Sequence, residues 1–140
     1  PWDDMTCYNT TENGHLDCLI YLIEHGCPCI PEICRVAASS GQLACLQYLH
    51  ATGHLCDAAT CYAAAGGGRL DCLRYLHENN CPWDEKVCYA AAKWNQLSCL
   101  EYLHENNCPW DQTTCYIAAT EGNLACLKYA YENGCPWNGD

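Results

Sequence analysis

Cysteine and histidine are the residues with the most chemistry to offer, at sixteen and six in 140 residues. Thiols can pair as disulfides, ligate a soft metal, attack as nucleophiles, or pack as small apolar groups. Many cysteines in a short secreted chain mean a disulfide framework; in a cytosolic chain they mean metal or buried thiols. Position has to decide between these. One column of cysteines is Cys7, Cys34, Cys61, Cys88 and Cys115; a second is Cys18, Cys45, Cys72, Cys99 and Cys126. A third is Cys27, Cys81, Cys108 and Cys135, with His54 intruding, and the spacing is 27 residues throughout. The last two, Cys29 and Cys56, stand where the segments "CPWDEK" and "CPWDQT" carry Trp83 and Trp110.

Such columns require a repeated element to position them. The units are 1–26, 27–53, 54–80, 81–107 and 108–134, with a partial unit at 135–140, all in one repeat domain spanning 1–140. Each unit reads as two short helices. In the unit from Cys81, Asp84 is an N-cap and Glu85 follows in the first turn, where negative charge suits the helix dipole. Trp83 and Cys88 have the spacing of a hydrophobic staple, and Cys88, Ala91 and Ala92 share one helical face. Asn95 ends the first helix and Asn107 the second. Gly or Asn recurs at both places in every unit, which predicts left-handed stops. Leu97, Leu100 and Leu103 form the apolar stripe of the second helix. One such pair cannot bury its own stripe but stacked neighbours can, so the expected fold is an all-α solenoid. The ends fall near whole periods without polar caps, an expectation of a longer array or of ends covered by neighbours.

"TCYAAAGGGRLDCLRYLHENN" at Thr60–Asn80 and "GHLDCLIYLIEHG" at Gly14–Gly26 resemble ankyrin repeats, and the resemblance runs through all five units. The ankyrin unit has about 33 residues, whereas this one has 27. The shortfall lies between the "CPWD" segment and the first helix, where the family places its β-hairpin. The resemblance therefore implies stacked helix-turn-helix repeats lacking that hairpin. It is closest to the short, Cys-rich, "CPWD" variety.

Within a unit the antiparallel helices offset Cys88 from Cys99 by about 6 Å along the axis, besides the interhelix gap, which disfavours a disulfide there. The first-helix cysteine and the opening cysteine of the next unit lie at the same end. That pairs Cys7 with Cys27, Cys61 with Cys81, Cys88 with Cys108 and Cys115 with Cys135, while Cys34 faces His54. The plainer expectation is buried free thiols in place of aliphatic residues, with the Cys18–Cys99 column unpaired core in either case. No cofactor is expected, except that the departures "CPC" and "HLC" bring Cys27, Cys29, His54 and Cys56 into adjacent units, a Cys₃His set suited to zinc.

The net charge of −11 argues against a nucleic-acid partner, which needs a basic surface. No apolar run approaches a membrane span and no leader is visible, so no membrane partner is expected and a cytoplasmic location is favoured, or an extracellular one if the cysteines are oxidised. His50, His77 and His104 near second-helix ends read as dipole caps, and the recurring Tyr beside the Leu stripe as edge packing. "GGG" at 66–68 lacks the Lys-Ser/Thr pair of a phosphate loop, and nothing specifies a catalytic pair. Function is then expected at positions that vary between units. Met5, Glu32, Lys86 and Thr113 lie on first helices; Glu12, Lys93, Trp94 and Glu121 lie at their ends. In ankyrin-type stacks such positions face the partner, so the resemblance implies a non-enzymatic scaffold for another protein. The alternatives are a structural or filament-forming array stacking end to end and, less favoured, a zinc-binding repeat.

Overall fold

A computed structural model describes residues 2–137. Ten helices follow one another: α1 (Asp4–Glu12), α2 (Leu16–Glu24), α3 (Ile33–Ser39), α4 (Leu43–Ala51), α5 (Ala58–Gly66), α6 (Leu70–Glu78), α7 (Glu85–Lys93), α8 (Leu97–Glu105), α9 (Gln112–Thr120) and α10 (Leu124–Glu132). Among the described residues there is no strand, and no helix is long and apolar enough to cross a membrane. The odd-numbered first helices form one row and the even-numbered second helices a looser row behind it. The first row packs more closely because alanines line it. Ala37, Ala38, Ala64, Ala65, Ala90, Ala91 and Ala92 are all fully buried, and small side chains let helix axes approach.

Local chemistry sets where each helix starts and stops. Asp3, Asp57, Asp84 and Asp111 each accept a backbone N–H of the first turn at 3.0–3.1 Å, from Thr6, Thr60, Lys86 and Thr113 respectively. The second unit has Ile30 in that column. With no side-chain cap, α3 begins late and runs for seven residues where the other helices run for nine. All ten expected stop positions have positive φ: 58–66° at Asn80, Asn95 and Asn107, and 72–94° at the seven glycines. At Gly68 the requirement is double, since a Cβ would also come within 2.4 Å of the Gln96 side chain.

That Gln96 belongs to a column of latches that periodicity does not reveal. From the second unit on, the residue just after the left-handed stop of each first helix reaches back to the preceding unit. Gln42 Nε2 donates to the Glu12 carbonyl at 3.0 Å, Arg69 Nε to Ser39 at 3.0 Å, and Gln96 Nε2 to Gly66 at 3.4 Å. Asn123 Nδ2 donates to both the Ala92 and Lys93 carbonyls at 2.8 Å. These satisfy carbonyls that a helix end leaves without an intrahelical partner. Asn123→Ala is expected to cost about 1 kcal/mol, and hydrogen exchange should quicken first at the α7–α9 seam.

The second-row seam is aromatic. Trp83 lies flat on His77 of the preceding unit, 3.9 Å between centroids, with Tyr102 edge-on at 6.3 Å. Trp110 repeats this with His104 at 4.1 Å and Tyr129 at 6.3 Å. The tryptophan therefore bridges two units by ring packing, and the histidines expected as dipole caps serve as its stacking platforms. Beneath this seam Leu19, Leu46, Leu73 and Leu100 are fully buried, as are Leu49, Leu76 and Leu103. Cys45, Cys72, Cys99 and Cys126 are buried in the same core, but Cys18 is exposed, contrary to its expected core role, because it lies in the first helix pair of the described residues, where no earlier pair covers it.

Candidate binding face and thiol seam

Of the positions singled out as variable, Met5, Glu12, Glu32, Lys86, Trp94, Thr113 and Glu121 are exposed and Lys93 is half-buried. The structure brings only some of them together. Lys86 and Thr113 line an open groove of about 380 Å³ whose other walls are Tyr62, Glu85, Tyr89 and Asp111. The groove thus crosses three consecutive units, with α5 and α7 and the N-terminal end of α9 contributing to it. Tyr62 and Tyr89 come from a column read as part of the ankyrin-like frame, so sequence reasoning passed over them. Their recurrence as aromatics on the first-helix face was the available signal.

Trp94 caps α7 and remains 46% exposed, yet it is not loose. Its ring meets Tyr62 edge-on at 5.9 Å, Lys93 Nζ sits 4.9 Å from the ring centroid, and a Cβ on Gly66 would come within 3.0 Å of it. Gly66, the first glycine of the "GGG" segment, therefore provides the seat for Trp94. Met5, Glu12, Glu32 and Glu121 do not join this groove's lining; Glu121 caps the far end of α9 from Thr113.

The thiols are arranged differently from the expected ladder. Cys7 is bonded to Cys29, with Cα atoms 5.6 Å apart, and not to Cys27. Cys29 occupies a Trp position, half-buried against the core, which brings it onto the preceding first helix. Cys27 Sγ instead donates to the Asp3 carbonyl at 3.6 Å. The same use recurs at Cys108, which donates to Asp84 at 3.4 Å, and at Cys135, which donates to Asp111 at 3.3 Å. Cys61, Cys81, Cys88, Cys108, Cys115 and Cys135 are free thiols in this structure. The neighbouring Cys88 thiol and burial push the Cys108 thiol well above its ordinary pKa; for Cys135, burial leads the same upward shift, with Cys115 adding to it.

The set Cys27, Cys29, His54 and Cys56 is not assembled. Cys29 is consumed by Cys7, Cys27 faces the Asp3 carbonyl, and His54 Nδ1 lies 3.2 Å from the Leu49 carbonyl and 3.3 Å from Thr52 Oγ1. The helix end thus holds the imidazole in the seam position usually filled by cysteine. Cys56 lies instead beside His50 and Cys81, neither of them in the expected set.

Stacked helix pairs with left-handed stops and a closely packed alanine-lined first row define an ankyrin-type solenoid. Residues 60–104 match the family model described as "Ankyrin repeats (many copies)". Over 92% of this chain and 69% of that one, the fold matches the crystal structure of the human ASB11 ankyrin repeat domain, with a TM-score of 0.75 and 22% identity. No curated protein matches the chain in sequence. The chain therefore has the ankyrin-repeat fold, with residues 60–104 carrying the family's sequence pattern.

Proposed function

We propose that this chain is a non-enzymatic scaffold that binds another protein through the face of its first helices. The observation that carries the reading is the groove crossing α5, α7 and α9, where Tyr62 and Tyr89 supply aromatic surface and Glu85, Lys86 and Asp111 supply charge. Trp94 extends this surface as a held aromatic, and large aromatics whose rings are already fixed lose little freedom on binding. The acidic balance of the chain favours a partner with basic groups. With a captured partner, Trp94→Ala should weaken binding at least about tenfold, the scale of a hot spot. Lys86→Glu with Tyr89→Ala should weaken it independently, with unchanged helical content in each case. Unchanged affinity in both variants, measured by calorimetry, would remove the groove from the interface.

A second reading, end-to-end stacking of copies, is favoured by the last helix pair. An open apolar pocket of about 370 Å³ there is lined by Cys115, Leu127, Lys128, Tyr131 and Trp137. Leu124 is 59% exposed, whereas Leu16, Leu43, Leu70 and Leu97 in the same column are half-buried by a following unit. Light scattering that grows with concentration, and is abolished by Leu124→Glu, supports stacking; a constant molecular mass removes it.

A further inference from the structure

The place where Trp is replaced by Cys56 has a neighbour that the other replacement lacks. In the units around Trp83 and Trp110, the indole fills the space between a His of the preceding second helix and a Tyr of its own. At Cys56 the His and Tyr are both retained, as His50 and Tyr75, but the indole is gone. The two rings close on each other, 5.6 Å apart and edge-on, with His50 Nδ1 2.8 Å from the Tyr75 hydroxyl. Cys29, the other replacement, has Ile23 in the His column and is bonded to Cys7.

Into the space at Cys56 come thiols from both sides. The ligand atoms of His50, Cys56 and Cys81 all lie within 4.8 Å of one another. Cys34, fully buried on α3, stands beside Cys56 as the 27-residue translate of the Cys7–Cys29 pair, whose Cα atoms are 5.6 Å apart. Two sulfurs and one imidazole from three consecutive units thus converge on one half-buried point, with Cys34 on α3 as the fourth group in reach. From this convergence we infer that Cys34, His50, Cys56 and Cys81 form a binding site for a soft divalent cation of the zinc class.

The chemistry and the dimensions agree. Cys₃His is a structural zinc set, and bonds of about 2.3 Å to sulfur and 2.0 Å to nitrogen place tetrahedral ligand atoms about 3.5–3.8 Å apart. Closing from 4.8 Å needs a shift of about 1 Å, which side-chain rotation on flexible Cys and His can supply. The Tyr75 hydroxyl holds the imidazole in place, the role that outer-shell partners of metal-bound histidines play. A cation here would tie the pair α3–α4 to α5–α6 and to the start of the next unit. It would replace with ligand bonds the ring packing that Trp83 and Trp110 provide elsewhere. The competing fate of the same groups is oxidation: Cys34 and Cys56 are the 27-residue translates of the bonded Cys7 and Cys29.

The test is anaerobic titration of the full reduced chain with Co²⁺, followed by Zn²⁺ displacement. The expected result is one equivalent with thiolate-to-cobalt charge transfer and the intense d–d bands of tetrahedral coordination, bleached by zinc. Cys56→Trp, which restores the residue found at Trp83 and Trp110, should abolish the signal while circular dichroism stays helical. Tyr75→Phe should weaken affinity about tenfold. His54→Ala and Cys99→Ala should leave the titration unchanged, which separates this site from diffuse thiol binding. A tetrahedral signal that survives in the Cys56→Trp variant overturns the assignment. So does the absence of stoichiometric binding, or a Cys34–Cys56 disulfide that, once reduced, yields thiols with no cobalt affinity.

Discussion

Leu100→Ala is expected to lower the unfolding free energy by about 3–4 kcal/mol, the middle of the range for emptying a fully buried leucine site. Leu100 is fully buried on α8, in the column that continues through Leu19, Leu46 and Leu73. Its side chain is a nearest-neighbour contact, and in a stack such contacts hold one unit to the next. A cavity there weakens the coupling across the α7–α8 pair as well as the pair itself, so the loss should come with a broader, less cooperative transition. Leu127 stands in the same column in the last helix pair and is only half-buried. Leu127→Ala should cost about 1–2 kcal/mol, because part of its surface is already in water. Urea denaturation of both variants checks this, and equal losses would contradict the difference in burial between the two leucines.

The contrast between these two leucines shows what the sequence could and could not convey. Every helix stop was legible, because a left-handed residue needs Gly or Asn and the 27-residue period repeats the requirement ten times over. The Leu stripe and the Cys99 column were legible for the same reason. What periodicity lacks is the lateral register between units, and the surprises come from there. The latch column reads His15, Gln42, Arg69, Gln96 and Asn123, residues alike only in carrying an N–H donor. From Gln42 onward each bonds a carbonyl 30 or 31 residues back, slightly more than one period. Trp83 was expected to staple its own helix, yet its ring lies on His77 of the preceding unit. The recurrence of His50, His77 and His104 six residues before the next Trp-column position was the available signal. It was masked because a histidine near a helix end has a sufficient local explanation. The pairing of Cys7 with Cys29 was missed likewise: the opening cysteine looked nearer along the helix axis, but it is the Trp-column residue that meets the first helix. The groove was half legible, since Lys86 and Thr113 vary between units while Tyr62 and Tyr89 do not stand out from the frame.

Alkaline unfolding should be steep and should come from the buried thiols. Burial pushes Cys72, Cys99 and Cys126 up to about 11, and each is at most 1% exposed. An unfolded chain holds cysteine near 8.5. Between those values the unfolded state has released protons that the folded state still holds, so stability falls as pH rises. The thiol contribution is fully present below about pH 8.5 and is lost as pH climbs through about 11, at about 1.4 kcal/mol per pH unit for each thiol fully buried. Three together are enough, at that slope, to consume the stability of a typical domain within two to three pH units. The growing negative charge of an already acidic chain acts in the same direction. The Cys72→Ala, Cys99→Ala, Cys126→Ala triple variant separates the two, because it keeps the other charges and removes the thiols. Melting temperatures taken under reductant from pH 7 to 11 should be flat and then drop for the native sequence, with a shallower drop in the variant, the remainder belonging to Cys61, Cys81, Cys108 and Cys135, whose thiols are raised as well. A native melting temperature that holds through pH 10.5 would show that these sulfurs titrate as freely in the stack as in water.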